Sequence, residues 1–485
     1  MDVFYWSAEK IAKKIRAKDI SSLDIVNSFI HRINSLNSTL NAVVTINQNG
    51  ARERAVAADR AISKGELWGP LHGVPITVKD SYKTAGIKTT CNCNDYKDFI
   101  PNKNATIVDR LLNAGCIILG KTNLPVLSQD IQTDSAHFGR ANNPWDTSRT
   151  TGGSTGGGAA AVSSGLSPLE IGSDLFGSVR LPAHFCGIFG FRPTQGRVST
   201  AGLILGKRQD PRILRFLCSP GFLSRTVDDL KLCLDSVEGP DRLSPEVPPV
   251  YESPITQTDN SLQIAWIDQL PDVPTSADTK AAIKAFINDL CQAGHTTFHK
   301  LPPLDFQSAT YTCGNLLGIE SGALQNRLMR LLIGVVLNRK PASEPFLKGF
   351  AKGATALSMA DYLQCLSVRD TFIREFDQFM QTYDAFICPV APGPAFEHIK
   401  TIHPLLGPHI KVDDGTLPYW VWGISYSILA SLTGHPVVVI PIGYGTNDLP
   451  IGIQLIGKRW QDRQLLDYAS NLAKIVGPIK QPICQ

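Results

Sequence analysis

A chain of 485 residues that is 43% hydrophobic and 19% charged is long enough to bury a large core, and its composition excludes the disordered and fibrous classes. A formal charge of +4 spread over that length gives no footing for attraction to nucleic acid or membrane; the densest basic tract, Lys10, Lys13, Lys14, Arg16 and Lys18, alternates with Ile11 and Ile15 and reads as the solvated face of a helix. Eleven cysteines without a CxxC pair fit neither a disulfide framework nor a zinc ribbon, and with no leader pattern and no apolar run near the ~18 residues that span a bilayer, a reduced, cytoplasmic protein is expected.

From about residue 7 to residue 36, Ile11, Ile15, Ile25, Phe29 and Ile33 recur mostly four apart, which predicts helices burying one face. Ser21 followed by Asp24 reads as a capping box between two of them. Past Gly65 the texture changes to short apolar runs, VPITV at 74–78 and CIILG at 116–120, alternating with helical stretches such as 105–114, and this alternation predicts an α/β fold. Lys79 directly follows the first run and so stands at a strand end. Desolvated there, its amine would fall from ~10.4 to around 7–8 and become a usable base; left in water, it is an ordinary surface lysine.

Residues 142–158, NNPWDTSRTTGGSTGGG, read as an extended loop that leads into a helix over 159–166. Within it, residues 152–156 have the G-x-S-x-G form of a nucleophile elbow, which alone would make Ser154 the nucleophile, but an elbow needs an apolar strand before it and residues 146–151 have no strand character. An anion nest is a second reading of these glycines, and a purely structural loop a third; the Gly-Lys-Ser/Thr element of a phosphate loop is missing. The next polar turn, GSDLFGSVR at 172–180, follows the apolar run LEIG. Such a turn can aim several backbone N–H groups at one spot beside Ser178, or it can be a structural turn held by an Asp174–Arg180 pair. A long loop is expected over 242–260, then a strand at 263–267, a helix at 274–294, a mostly helical stretch over 315–380 forming a cap, and strands at 384–390, 436–444 and 452–457. None of the ten histidines stands in an HExxH, a His-x-His or a Cys/His cluster with ligand spacing, which argues against a metal-activated water.

Three segments acquire meaning together. GVPITVKD at 73–80, GGSTGGGAAAV at 152–162 and GSDLFGSVRLPA at 172–183 resemble, in order and in spacing, the lysine segment and the two serine loops of the amidase signature family. Stretches 115–125, 138–146, 186–199, 386–395 and 432–443 resemble it too, so the likeness covers nearly the whole chain. The resemblance implies a single α/β/α domain over 1–485, with a mixed, twisted central sheet flanked by helices, N-terminal helices at about 7–60 and a helical cap at about 315–380. It also implies a Lys79–Ser154–Ser178 triad without metal or cofactor. In that triad Ser178 is the nucleophile that forms an acyl-enzyme, Ser154, preceded by a cis peptide bond, relays protons, and neutral Lys79 is the base. The oxyanion is expected at the N–H groups of Leu175, Phe176, Gly177 and Ser178.

The chain departs from the family at three places. Phe176 stands where most relatives have glycine; if that position needs a positive φ the phenylalanine is strained, and otherwise its ring fills part of the pocket, which is the expectation favoured here. Val126 replaces a frequent glutamate, with the expected loss of a contact near the triad, and Arg192 replaces a commoner lysine, a change taken as neutral. The activity implied is hydrolysis of a carbon–nitrogen bond in a linear or cyclic amide. The alternatives are the A-type subunit of a tRNA-dependent amidotransferase, an esterase or acyltransferase using the same triad, and a non-enzymatic binding protein should Phe176 block the oxyanion site. Residues 349–372 lack the arginine-containing Gly-Thr-Tyr stretch that amidotransferase subunits use around their substrate. The expected partners are a small-molecule amide and, as a family tendency, a second copy of the chain, with neither nucleic acid nor membrane; Phe176, Trp420 and Trp422 hint at an apolar or aromatic acyl group.

Overall fold

Short apolar runs become the middle of a sheet whose two faces are both covered. The computed structural model describes residues 3–206, 214–250, 261–338, 344–355, 358–401, 407–413 and 415–483. Part of the expected loop, 251–260, and residues 339–343 and 356–357 of the expected helical stretch lie outside them. The strands are β1 (Val43–Ile46), β2 (Pro75–Lys79), β3 (Ile117–Thr122), β4 (Leu169–Asp174), β5 (Phe189–Arg192), β6 (Ser219–Ser224), β7 (Gln263–Trp266), β8 (Thr296–His299), β9 (Ala385–Pro389), β10 (His409–Val412), β11 (Gly415–Pro418), β12 (Val437–Tyr444) and β13 (Pro450–Ile456).

All but β10 and β11, which pair as a ribbon, form one eleven-stranded sheet in the order β1-β3-β2-β4-β6-β5-β12-β13-β9-β7-β8. Pairing is parallel for β2 with β3 and β4, and for β7 with β8 and β9; the pairs between β4 and β9 are antiparallel. The sheet is therefore mixed and flanked by helices, the α/β arrangement expected. Every residue of β2, β3, β4, β6, β9 and β13 is buried, as strands covered on both faces require.

The N-terminal helices are α1 (Ala8–Arg16), α2 (Ser22–Leu40) and α3 (Gln48–Ser63), with β1 between the last two. Ser21 caps α2, its Oγ accepting from the Asp24 N–H at 3.0 Å and donating to the Asp24 carboxylate at 2.6 Å. On α1 the lysines face solvent, and Lys13 pairs with Glu9 at 2.7 Å. Then come α4 (Thr106–Asn113), α5 (Gly156–Ser163), α6 (Arg180–Cys186), α7 (Val227–Val237) and α8 (Ala277–Gln292). The stretch expected to be mostly helical holds α9 (Phe306–Gly322), α10 (Arg327–Asn338), α11 (Pro345–Thr355) and α12 (Met359–Thr382); α13 (Tyr419–Ile424), α14 (Ile428–Thr433) and α15 (Asp462–Val476) complete the set.

Helices α9 and α11 meet backbone to backbone. A Cβ added to Gly349 would overlap the carbonyl of Tyr311, and one added to Gly314 the carbonyl of Phe346, so glycines at 314, 318 and 322 on one helix and 349 and 353 on the other let the axes approach as closely as helices can. Among the described residues no helix is long and apolar enough to cross a membrane.

Candidate active site

Strand β2 runs parallel to β4 with Val78 opposite Ile171, so Lys79 and the Ser173–Asp174 end of β4 emerge together at the carboxyl edge of parallel strands, where open α/β sheets bind ligands. Lys79 is wholly buried, and its Nζ donates to Ser154 Oγ at 2.6 Å and to Ser173 Oγ at 3.2 Å. Burial lowers its pKa from 10.5 to about 8, against the pull of carboxylates that include Asp174 and Glu170. The strand-end lysine is thus the desolvated one of the two forms left open by the sequence. Its neighbour on β3, Lys121, is equally buried and also lowered by burial to about 8, but its Nζ is taken up by the Tyr82 carbonyl and the Thr84 and Thr89 hydroxyls, 4.0 Å from Asp80. Its donors are spent on the loop of residues 82–89, whereas those of Lys79 go to Ser154 and Ser173.

Ser154 is wholly buried and follows a cis peptide bond from Gly153. No strand precedes its loop, so the elbow reading fails in the structure as it does in the sequence. The Thr133 hydroxyl donates to the Gly152 carbonyl at 2.8 Å, and a Cβ on Gly153 would press on the backbone of residues 130–132, which therefore lies directly against Gly153. The Thr155 N–H donates to the Ser178 carbonyl at 3.0 Å and ties this loop to the second serine loop. Ser178 is only partly buried, in contrast to Lys79 and Ser154. Of the three residues named by the resemblance, Lys79 and Ser154 therefore meet through their side chains, and Ser178 is joined to the Ser154 loop through its backbone carbonyl.

The turn carrying Ser178 is organised by Asp174. Its carboxylate accepts from the N–H of Gly177 at 2.9 Å and of Val179 at 3.1 Å, and from the Arg180 guanidinium at 2.8 and 3.0 Å; Arg192 Nε lies 3.6 Å away. Burial alone would raise this carboxyl, but Arg180, Arg192 and the Gly177 N–H outweigh it and hold the group well below the ordinary carboxylate range. Arg180 is held in turn by Gln454 Oε1 and Ser431 Oγ, each at 2.8 Å. The structural reading of an Asp174–Arg180 pair is realised, and the pair shapes the turn: the N–H groups of Gly177, Val179 and Arg180 all point at the Asp174 carboxylate.

One donor of the expected oxyanion set is corrected. The Gly177 N–H is spent on Asp174, at 2.9 Å. The left-handed conformation falls on Gly177, with φ +99°, and not on Phe176. A Cβ at Gly177 would stand 2.9 Å from Ser427 Oγ, the hydroxyl that donates to the Phe176 carbonyl at 3.0 Å. Phe176 is therefore unstrained. Its ring is 6% exposed and packs edge-on against Phe346 of α11, with centroids 5.4 Å apart.

Ser173, Ser427 and Lys121 went unremarked in the sequence, and Arg192, taken as neutral, is a second cation on Asp174. A serine next to the motif aspartate was the one available signal for Ser173. Val126 is 45% exposed, so the replaced glutamate leaves a surface position and not a gap beside Lys79. His184 is buried between the Gly393 carbonyl and the Gly452 N–H, a packing role as expected. Among the described residues no three His, Cys, Asp or Glu side chains cluster as metal ligands.

The family model described as Amidase matches residues 24–466. The A subunit of the glutamyl-tRNA(Gln) amidotransferase of Carboxydothermus hydrogenoformans is 32% identical over 97% of each chain, and its counterpart in Geobacillus stearothermophilus is 32% identical over 95% of each. A bacterial aryl acylamidase of the amidase signature enzymes superposes with a TM-score of 0.81 at 24% identity, over 99% of this chain and 97% of its own. These relatives overturn the expectation that nucleic acid has no place among the partners: that expectation rested on a modest, evenly spread charge, while chains alike from end to end are named for a tRNA and as one part of a larger enzyme. A match over this span, with both serine loops and the lysine segment inside it, makes the chain an enzyme of the amidase signature family.

Proposed function

We propose that this enzyme cleaves a carbon–nitrogen amide bond through an acyl-enzyme on Ser178, and the observation that carries the reading is the 2.6 Å contact between a buried, easily deprotonated Lys79 and the buried hydroxyl of Ser154, one residue from the backbone bond that tethers Ser178. Ser178 Oγ attacks the carbonyl carbon and gives its proton to Ser154 Oγ, which passes its own to the neutral Lys79 amine. The negative charge on the carbonyl oxygen is met by N–H groups of the 175–178 turn. As the C–N bond breaks, Ser154 protonates the departing nitrogen and is reprotonated by Lys79. Water then attacks the Ser178 ester by the same relay and releases the acid. The chain acts as one catalytic domain, with α9 to α12 as a cap whose α9 and α11 share an apolar cluster with Phe176.

Within this chemistry the relatives support the A-type subunit of a tRNA-dependent amidotransferase better than a free-standing amidase, since end-to-end identity of 32% is to chains of that name. On that reading the amide is that of glutamine and the ammonia released passes to a partner. The free-standing reading draws on the aromatic, apolar cluster that Phe176 joins two residues from Ser178, which suits an apolar acyl group better than an amino acid.

The test is ammonia release from glutamine against release of aryl and alkyl amines from neutral amides by the isolated chain, together with fluorophosphonate labelling mapped by mass. Loss of all turnover and label in Ser178→Ala is the expected result. Label on Ser154, or undiminished turnover in Ser178→Ala, would overturn the assignment, and the preferred substrate separates the two readings.

A further inference from the structure

Helix α10 is apolar on the side that the protein leaves uncovered. Leu328, Leu331, Leu332 and Val335 are spaced three and four apart, as residues on one face of a helix are, and with Met329 they are 44–68% exposed. On the other side Gly334 and Leu337 are buried, and Gly334 rests against the end of α11, the Cβ it lacks falling 2.7 Å from Thr355 Cγ2. Four residues beyond Thr355, the first turns of α12 expose Met359 and Leu363. Single exposed leucines are ordinary, but an aliphatic face running the length of a helix marks a surface that something covers.

The charge of the same region decides what covers it. From residue 321 to residue 360 the sequence holds six basic residues and one acid, Glu344, which is buried, so the modest charge of the whole chain conceals a local positive excess. Arg327 and Lys352 are exposed, and Arg330 and Lys348 are partly so. From this placement we propose that α10 and the first turns of α12 lie on an anionic lipid surface, with the aliphatic stripe among the acyl chains and the basic residues at the headgroups. A second copy of the chain would bring the same positive excess to the contact, and α10 has no aromatic residue, the type that anchors protein partners. Its twelve residues make a helix of about 18 Å, against the ~30 Å of a bilayer's apolar core, so α10 lies along the surface and does not cross it. The proposal concerns the outer face of the cap and is independent of which serine is acylated.

The experiment is cosedimentation of the full chain with vesicles of phosphatidylcholine alone and of phosphatidylcholine with about 30% phosphatidylserine. The wild type should partition onto the anionic vesicles at least about tenfold more strongly than onto the neutral ones, and the advantage should shrink as salt is raised. Leu328→Ser combined with Leu332→Ser should weaken binding to the anionic vesicles at least about tenfold, with melting unchanged because both side chains already face water. Arg327→Gln combined with Lys352→Gln should remove most of the preference for phosphatidylserine and leave binding to the neutral vesicles as it was. No binding to the anionic vesicles, or binding that survives the two serines undiminished, overturns the proposal. A wild type that is dimeric without lipid, and monomeric once the two leucines are serine, overturns it as well, since a second copy then covers the face.

Discussion

Raising the pH from 6 to 8 should speed acylation of Ser178 about fiftyfold, roughly ninefold over the first unit and fivefold over the second, with a plateau above about 9, because the base is the neutral form of a lysine whose pKa burial brings to about 8. At pH 7 an amine of that pKa is neutral in about one molecule in ten, while a lysine at its ordinary value is neutral in about one in three thousand. Desolvation by the sheet therefore raises the working fraction of base roughly 300-fold. The same shift sets a sign for stability. A lysine whose folded pKa lies below its unfolded value binds fewer protons when folded between about 8 and 10.5, so stability rises with pH across that window, and below it the buried cation costs about 3 kcal/mol. Intact-mass kinetics with a fluorophosphonate, run from pH 6 to 9.5, reads the acylation rate directly. Lys79→Met should lower the rate by about 10² to 10⁴, the range of general base catalysis, and erase the inflection. A flat profile in the wild type, an inflection near 10, or an inflection that survives in Lys79→Met would refute the reasoning.

Asp174→Asn removes the carboxylate shared by Arg180 and Arg192 and should cost about 3–5 kcal/mol in urea unfolding, as breaking a buried ion pair does; a loss below about 1 kcal/mol would show that the pair does not hold the turn. Because the Asp174 pKa is depressed, this contribution is present above about pH 4 and is lost as the pH falls below it. Gly177→Ala forces a side chain into a left-handed residue 2.9 Å from Ser427 Oγ, a strain of roughly 1–2 kcal/mol. The labelling rate of Ser178 should fall about tenfold in that variant, and an unchanged rate would remove the turn from the chemistry. Gly349→Ala drives a methyl into the Tyr311 carbonyl, and melting with limited proteolysis should reveal a loss of about 1–3 kcal/mol with earlier cleavage in the α9–α12 region.

Periodicity and run length carried the strands at 75–79, 117–122, 385–389, 437–444 and 450–456, because buried strands of a covered sheet are nearly continuous in Val, Ile and Leu. They did not carry strand order, in which β6 precedes β5 and the last-made strands lie inside the sheet, since pairing partners far apart in sequence leave no local mark. Nor did they carry β6, whose SPGFLS reads as a turn until its pairing with β4 orders it. At the site, Lys79, Ser154 and Ser178 stood out in the sequence as residue types in context, and the structure joins Lys79 to Ser154 and ties the Ser154 loop to Ser178. The allocation of donors was not: that Asp174 would take the Gly177 N–H, that Arg192 would join Arg180, and that Ser173 would share Lys79 each depends on which way a side chain faces at the end of a strand. Whether Phe176 is strained turned on one backbone angle, which the neighbouring glycine absorbs.

The glycine contact between α9 and α11 has a mechanical consequence. Where side chains separate two helices, a substitution is cushioned by rotamers; where carbonyls and α-carbons meet directly there is nothing to compress, and the pair shifts as a unit. Gly314 bears on the carbonyl of Phe346, whose ring bears on Phe176 two residues from Ser178. A methyl group added to this seam thus has a stiff lever arm, through Phe346 and Phe176, to the turn that carries Ser178.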